Sequence, residues 1–406
     1  MISNVLIITA SFPEISETFI RDHLRLLLNG KVSAYIISRK SQDFSSKAWA
    51  FEDAEKVKNV SYNEENIIPK NKLIRGFRLL LILLRALLNG HLSDYWKLFK
   101  KKPKTKFGYA LSPYFILDFL LVKNITVIHC HFANNLERYD WVKDILPNLK
   151  LIVTFHGYDL RNFIKSEGLA YGKSLNKCDA IVAISNFTKQ NLLRLGLPEN
   201  KIFMIPNSVP LLYKERQLET QIETQTQDEP LKIVSVSRLV PLKNLRLAIE
   251  AIYLLKEKGN RKNLIFQIVG NGEQKEELLQ LIEEKNLSES VFLLGDQSSK
   301  TVYNLLKDAH IFLHTSLKEN LPVAILEGMS CGLPIVACET GGIAEIVSNE
   351  NGFLIAHNKV IIAETLMRLI ASPDLRKKLG DNGHSLIKEK FSQDKVFEQF
   401  IHLYFN

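Results

Sequence analysis

Two carboxylates eight residues apart, Glu319 and Glu327, stand in the most sharply punctuated stretch of this 406-residue chain. Pro322 lies between them, with φ already set for a first helical position and no N–H to leave orphaned. An apolar helix is predicted to follow through Cys331; Gly332 is placed to end it in the left-handed conformation, and Pro334 blocks its continuation. Pro334 to Cys338 predicts a short buried strand, and Gly341-Gly342 a tight turn into another helix. Eight residues at 100° each leave an offset of about 80°. A loop bent toward the helix start therefore turns both acids to one ligand above the helix N-terminus. That end has free amide N–H groups and a partial positive charge, which suits a diphosphate. Taken singly, each acid is ordinary: one in a solvated loop, one in a helix start.

Histidines and cations form the second set. Ile125 to Cys130 reads as a strand that runs into His129-Cys130-His131-Phe132-Ala133, so His129 and His131 face the same side. Such a pair begins a metal site, but the sequence supplies no third ligand. A second strand, Leu151 to Thr154, ends in Phe155-His156-Gly157-Tyr158-Asp159. A third, Ile233 to Val236, leads into a loop with Arg238 and Lys243 before a helix from Leu245 to Lys256. Strand, loop and helix start again at Val5 to Thr9, then Ser16, Glu17 and Thr18, with Ser16 or Thr18 a possible cap for the helix carrying Phe19, Ile20 and Leu24.

Glu-x7-Glu, Gly-x-Pro-Ile-Val-Ala and the Gly-Gly turn together resemble the retaining glycosyltransferases of family 4. Ser16 to Ile20 after Pro13 is similar to the start of bacterial exopolysaccharide and colanic-acid-type members, and Thr154-Phe155-His156-Gly157 to the family's Thr-x-His-Gly element. The resemblance covers nearly the whole chain, most specifically residues 154–159, 237–244 and 315–347. It implies the α/β fold called GT-B, two Rossmann-like parallel-sheet domains facing a cleft. Residues 1–208 would form the acceptor-binding domain, 209–230 a polar linker, and 231–390 the nucleotide-sugar-binding domain. A terminal helix over about 391–406 would cross back to the first domain.

The resemblance also implies roles. Glu319 and His156 are assigned to the sugar, and Arg238 and Lys243 to the donor diphosphate. Asn207, Gly270, Asn320, Leu321, Pro322, Val323 and Glu327 fall to donor binding, with Glu327 on the ribose. Ser16, Glu17, Thr18 and His131 lie on the acceptor side. Two departures are visible: Asn320 stands where Gly is commoner, and Ser208 and Pro210 break a usual Pro-Asn-Gly-Val-Asp. Because the His129/His131 motif matches the family's strand end, the metal reading is set aside. The expectation is a metal-independent hexosyltransferase with no cofactor, and no Asp-x-Asp occurs in the chain to suggest otherwise. The Gly270-Asn271-Gly272 turn has no third Gly at dinucleotide spacing, which disfavours NAD.

Bulk properties agree with a cytoplasmic enzyme. Cys130, Cys178, Cys331 and Cys338 have neither zinc nor Cys-x-x-Cys spacing, and the first residues show no basic start or cleavage site. Of the net charge of +9, residues 1–205 carry 30 Lys and Arg against 18 Asp and Glu, and the remainder 23 against 26. The excess gathers around Lys72 to Lys106, where Leu79 to Leu84, Trp96 and Phe99 are interleaved with Arg75, Arg78, Arg85 and the lysines Lys100, Lys101, Lys102, Lys104 and Lys106. The apolar run is short of the roughly 20 residues that span a bilayer; it suits a helix lying on an anionic membrane surface. Partners expected are therefore a nucleotide-sugar, a saccharide or lipid-linked oligosaccharide acceptor, and the inner face of the cytoplasmic membrane, with no nucleic acid. The rival classes are a non-catalytic GT-B saccharide-binding or scaffold subunit, and another GT-B-like enzyme such as an epimerase or phosphorylase. The joint presence of His156, Arg238, Lys243, Glu319 and Glu327 argues against the scaffold.

Overall fold

A computed structural model of the chain describes residues 4–12, 17–30, 32–41, 57, 60–103, 111–211, 230–257 and 263–406. Ser16, Lys104, Lys106 and linker residues 212–229 lie outside them. The Val- and Ile-rich runs form thirteen strands among the described residues, in two sheets. Every strand pairing is parallel. Parallel sheets bury both faces under crossover helices, so their strands read as continuous apolar runs.

The first sheet comprises β1 (Asn4–Phe12), β2 (Ala34–Ser41), β3 (Ser61–Asn63), β4 (Ile125–His131), β5 (Lys150–Phe155), β6 (Ala180–Ala183) and β7 (Ile202–Met204). Its order is β3-β2-β1-β4-β5-β6-β7. The chain builds outward from β1 to one edge, then returns to β4 and builds to the other. The β1/β4 boundary is thus a topological switch point, the place where open α/β sheets hold ligands. Helix Thr18–Asn29 leaves β1 with Glu17 at its N-cap and no side-chain cap bond, so Thr18 is the first helical residue and not the cap.

The second sheet comprises β8 (Leu231–Val236), β9 (Leu264–Val269), β10 (Val291–Leu293), β11 (Ile311–His314), β12 (Ile335–Cys338) and β13 (Gly352–Ile355), in the order β10-β9-β8-β11-β12-β13. Its switch point is β8/β11. Helix Val323–Ser330 follows β11, one residue later than the sequence predicts. Pro322 is extended (φ −72°, ψ 113°) and occupies the N-cap, its carbonyl accepting from Ile325 N–H at 3.1 Å. Gly332 takes φ +73° just beyond the helix.

The chain divides into compact units after Ile205 and again after Val396, against expected breaks at 208 and 391. Each unit has its own core, one around Leu6, Ile128, Tyr139 and Phe155, the other around Ile249, Phe266, Ile311 and Leu366. The terminal helix Gln393–Phe405 belongs to the first unit from Phe397 on. Lys150 Nζ donates to the Leu403 carbonyl at 2.6 Å, anchoring the helix end beside β5. All four cysteines are free and buried.

Candidate active site

In the second unit the candidate residues lie beyond the C-terminal ends of β8, β9 and β11. Arg238 is exposed in the loop after β8, and Lys243 ends a 3-10 turn, Pro241–Lys243. That loop is fastened from both sides. Ser237 N–H donates to the Val269 carbonyl (3.0 Å), and Leu239 N–H to the Asn271 carbonyl (2.8 Å). Thr315 Oγ1 donates toward the carbonyls of Lys243 (3.2 Å) and Asn244 (3.0 Å), and Leu317 N–H to that of Leu242 (2.9 Å). Gly270 makes the first seam possible: with φ +131°, its absent Cβ would lie 2.0 Å from the Ser237 carbonyl oxygen. Only glycine meets both demands.

Glu319 is the centre of this half. Its Oε1 pairs with Lys243 Nζ and lies 3.1 Å from His314 Nε2, all three side chains being mostly buried. Burial alone would push the carboxyl up. The His314 hydrogen bond and the Lys243 ammonium outweigh it and hold Glu319 well below the usual carboxylate range, hence ionised. A fixed carboxylate beside a cation can orient hydroxyls while the cation meets a phosphate. Glu327 is buried in helix Val323–Ser330, at whose start Leu321 and Pro322 are buried and Asn320 and Val323 are half-buried. Asn207 is half-buried in the segment that joins this unit at Pro206, where Val209 N–H bonds the Phe391 carbonyl at 3.0 Å.

In the first unit β4 and β5 end side by side, with His131 opposite Thr154 in register. His156, just past β5, is buried with Phe19 at 4.3 Å, Phe132 at 4.6 Å and His131 at 5.2 Å between ring centroids. Asp159 fixes its backbone: Oδ1 accepts from His156 N–H and Oδ2 from Ala133 N–H, both at 3.0 Å. Burial raises the Asp159 carboxyl to about 6 in spite of those bonds. Burial also holds His156 and His23 down to about 3, and His129 and His131 well below the usual range, so all four imidazoles are neutral at pH 7.

Sequence reasoning missed His314, which ends β11 five residues before Glu319, and His23, one turn past Phe19. It also missed Tyr404. His23 supplies the third histidine that the sequence lacked: nitrogens of His23, His129 and His131 lie within 4.8 Å of one another, a set with metal-ligand chemistry. Hydrogen bonds already engage both ring nitrogens of all three. The position of His314 at a strand's C-terminal end was the available signal; nothing marked Tyr404.

The chain is similar to known proteins over most of its length. Residues 217–386 match the family model for glycosyl transferases group 1, and residues 89–211 that for glycosyltransferase family 4. Over 382 residues the chain is 27% identical to the amylovoran biosynthesis glycosyltransferase AmsK of Erwinia amylovora, covering 89% of each protein. It is 31% identical over 219 residues to the putative colanic acid biosynthesis glycosyltransferase WcaL of Escherichia coli K12, a match spanning 52% of each. The crystal structure of Anabaena HepE in complex with UDP has the same fold, with TM-score 0.70 over 99% of each chain at 15% identity.

Proposed function

The chain belongs to the glycosyltransferases, with group 1 and family 4 domains on a GT-B fold, and from that premise we propose that it moves a hexose from a nucleotide-sugar to a saccharide acceptor with retention of configuration. The observation that carries this is the Lys243–Glu319–His314 cluster at the β8/β11 switch point. Lys243 and Arg238, with the amide end of helix Val323–Ser330, neutralise the departing diphosphate. Glu319 holds hydroxyls of the sugar, Glu327 the ribose, and His156 the sugar face at the reacting carbon. The bond from the anomeric carbon to the phosphate oxygen breaks as the acceptor oxygen bonds to the same face. The acceptor proton passes to the leaving phosphate, so the step needs neither a protein nucleophile nor a metal.

Similarity to AmsK and WcaL supports a part in exopolysaccharide biosynthesis; a lipid-linked acceptor at the inner face of the cytoplasmic membrane belongs to the same proposal. Helices Lys72–Leu88 and Leu92–Lys101 support the membrane part. Leu73 and Leu88 are each 84% exposed, Phe77, Leu80 and Leu84 stand exposed between them, and Trp96 is exposed on the next helix. A patch of that kind is uncommon on a surface meant for water. Lys100 lies 5.3 Å over the Trp96 ring and Lys102 5.6 Å over Phe99, cations drawn beside apolar rings as at a headgroup boundary. No helix among the described residues is long and apolar enough to cross a membrane. The test of the reaction is a hydrolysis screen against UDP-, GDP- and ADP-sugars. Turnover of one class above the others is expected, and inertness toward every donor overturns the reading.

A further inference from the structure

We propose that a single file of hydrogen bonds, Thr154–His129–Tyr404–His23–His131–His156, decides which nitrogen of His156 carries its proton, and that Tyr404 of the terminal helix is its keystone. The file is continuous. Thr154 Oγ1 meets His129 Nε2 at 2.6 Å, and His129 Nδ1 meets the Tyr404 hydroxyl at 2.6 Å. That hydroxyl meets His23 Nε2 at 2.9 Å, His23 Nδ1 meets His131 Nε2 at 3.1 Å, and His131 Nδ1 meets His156 Nε2 at 3.0 Å. All six side chains are buried. Phe400 stacks on His23 at 4.2 Å, closing the file from the terminal-helix side.

A neutral imidazole has one N–H and one lone pair, so a ring that accepts on one side must donate on the other. Tyr404 has one proton and passes the sense on. The first bond therefore sets all the rest. If Thr154 donates, Tyr404 donates to His23 and every ring carries its proton on Nδ1, His156 included. If His156 donates, Tyr404 donates to His129 and every ring carries it on Nε2. Mixed arrangements place two N–H groups or two lone pairs face to face, or have Tyr404 accept from both His129 and His23 with its own O–H unmet, and unmet polar groups are costly in a buried site. The two states differ at His156, so the file makes that residue a fixed donor or a fixed acceptor toward whatever it meets. His23, His129, His131 and Tyr404 are thus positioning residues, acting through His156.

The consequence for turnover rests on the proposed role of His156; the tautomer itself does not. Ring nitrogens of the full-length protein labelled with 15N-histidine are read by long-range 1H–15N correlation at pH 7.5. The expected result is that His23, His129, His131 and His156 all show the same tautomer. Mixed tautomers among them, or a purified protein holding stoichiometric metal on the first three, overturn the proposal. Tyr404→Phe keeps the ring and cuts the file. His156 should then lose its single tautomer, and kcat should fall about tenfold with the donor KM little changed. An unchanged tautomer at His156 in a folded Tyr404→Phe protein also overturns the file. A lost tautomer with unchanged kcat instead supports the file and overturns the placing of His156 at the reaction. Should that variant not fold, the uniform-tautomer measurement on the unaltered protein decides alone.

Discussion

A Cβ on Gly341 would fall 1.7 Å from the carbonyl oxygen of Glu319. The Gly341-Gly342 turn after β12 is the surface on which the Glu319 loop rests, with Gly342 N–H reaching that carbonyl at 3.4 Å. Gly341 also has φ +53°, so alanine there is strained twice, by its own backbone and by contact. Gly341→Ala should cost about 1–3 kcal/mol of stability and displace the Glu319 loop. Thermal unfolding with donor turnover checks this: turnover should fall further than stability, since the displaced loop carries the carboxylate proposed to hold the sugar. A variant with unaltered melting and turnover would mean that the loop shifts freely.

The four neutral histidines give a second expectation. His23 and His156 have pKa values held near 3, against 6.5 when free, and His129 and His131 are also depressed. The unfolded chain therefore takes up protons below about pH 6.5 that the folded chain refuses. Stability is complete above that pH and is lost as pH falls from 6.5 toward 3, by about 1.4 kcal/mol per pH unit for each of His23 and His156, with His129 and His131 acting in the same direction. Urea midpoints at pH 7.5, 6.0 and 5.0 should drop steeply, and His129→Gln should flatten the slope. A flat profile would show that these rings charge without unfolding.

The resemblance between this pair of sheets and their sequence is uneven, for a physical reason. Strands, and the Pro322 and Gly332 punctuation, depend on neighbours within a few residues, and so the run 315–347 discloses its strand, helix and turn. His314 and Thr315 were within that range but look like ordinary strand-end residues until β8 lies beside β11 and brings Lys243 to them. The histidine file is beyond local reading: His23 and Tyr404 are 381 residues apart and meet because the terminal helix packs on the first unit. A tyrosine in an amphipathic terminal helix gives no local sign of a polar partner in the core.

Arg238 and Lys243 test the mode of leaving-group stabilisation. If cationic side chains and helix amides meet the diphosphate, activity should survive excess EDTA. Arg238→Ala should then cost about 2–4 kcal/mol of transition-state stabilisation. Lys243→Ala should cost as much, and should also release Glu319, whose carboxylate it pairs. Initial rates with and without chelator check the expectation, and loss of activity restored by Mn²⁺ would sink it.

Membrane association has its own test. The protein should co-sediment with vesicles rich in anionic lipid at low salt and come off as salt rises. Lys100, Lys101 and Lys102 changed to Gln should weaken binding by roughly 1 kcal/mol each, with melting unchanged because all three are exposed. Leu80→Ser with Leu84→Ser should weaken it without altering the salt dependence. Equal binding by all variants would return the two helices to the role of ordinary surface.

The sharpest expectation separates the two glutamates. Glu319 is ionised and shared between Lys243 and His314, while Glu327 is buried within helix Val323–Ser330. Glu319→Gln removes charge with little change of volume, and leaves Lys243 with one fewer anion to answer. Free nucleoside diphosphate should therefore bind it no more weakly than the unaltered protein. With the sugar hydroxyls no longer held by a carboxylate, kcat should fall strongly. Glu327→Gln should do the reverse, weakening the free nucleotide by about 1–3 kcal/mol through loss of a charged hydrogen bond to ribose. Calorimetry with the nucleotide, then turnover on the best donor, reads both effects in one pair of variants. If the two substitutions weaken nucleotide binding alike, Glu319 is not the sugar's residue and its ion pair with Lys243 serves to hold the loop.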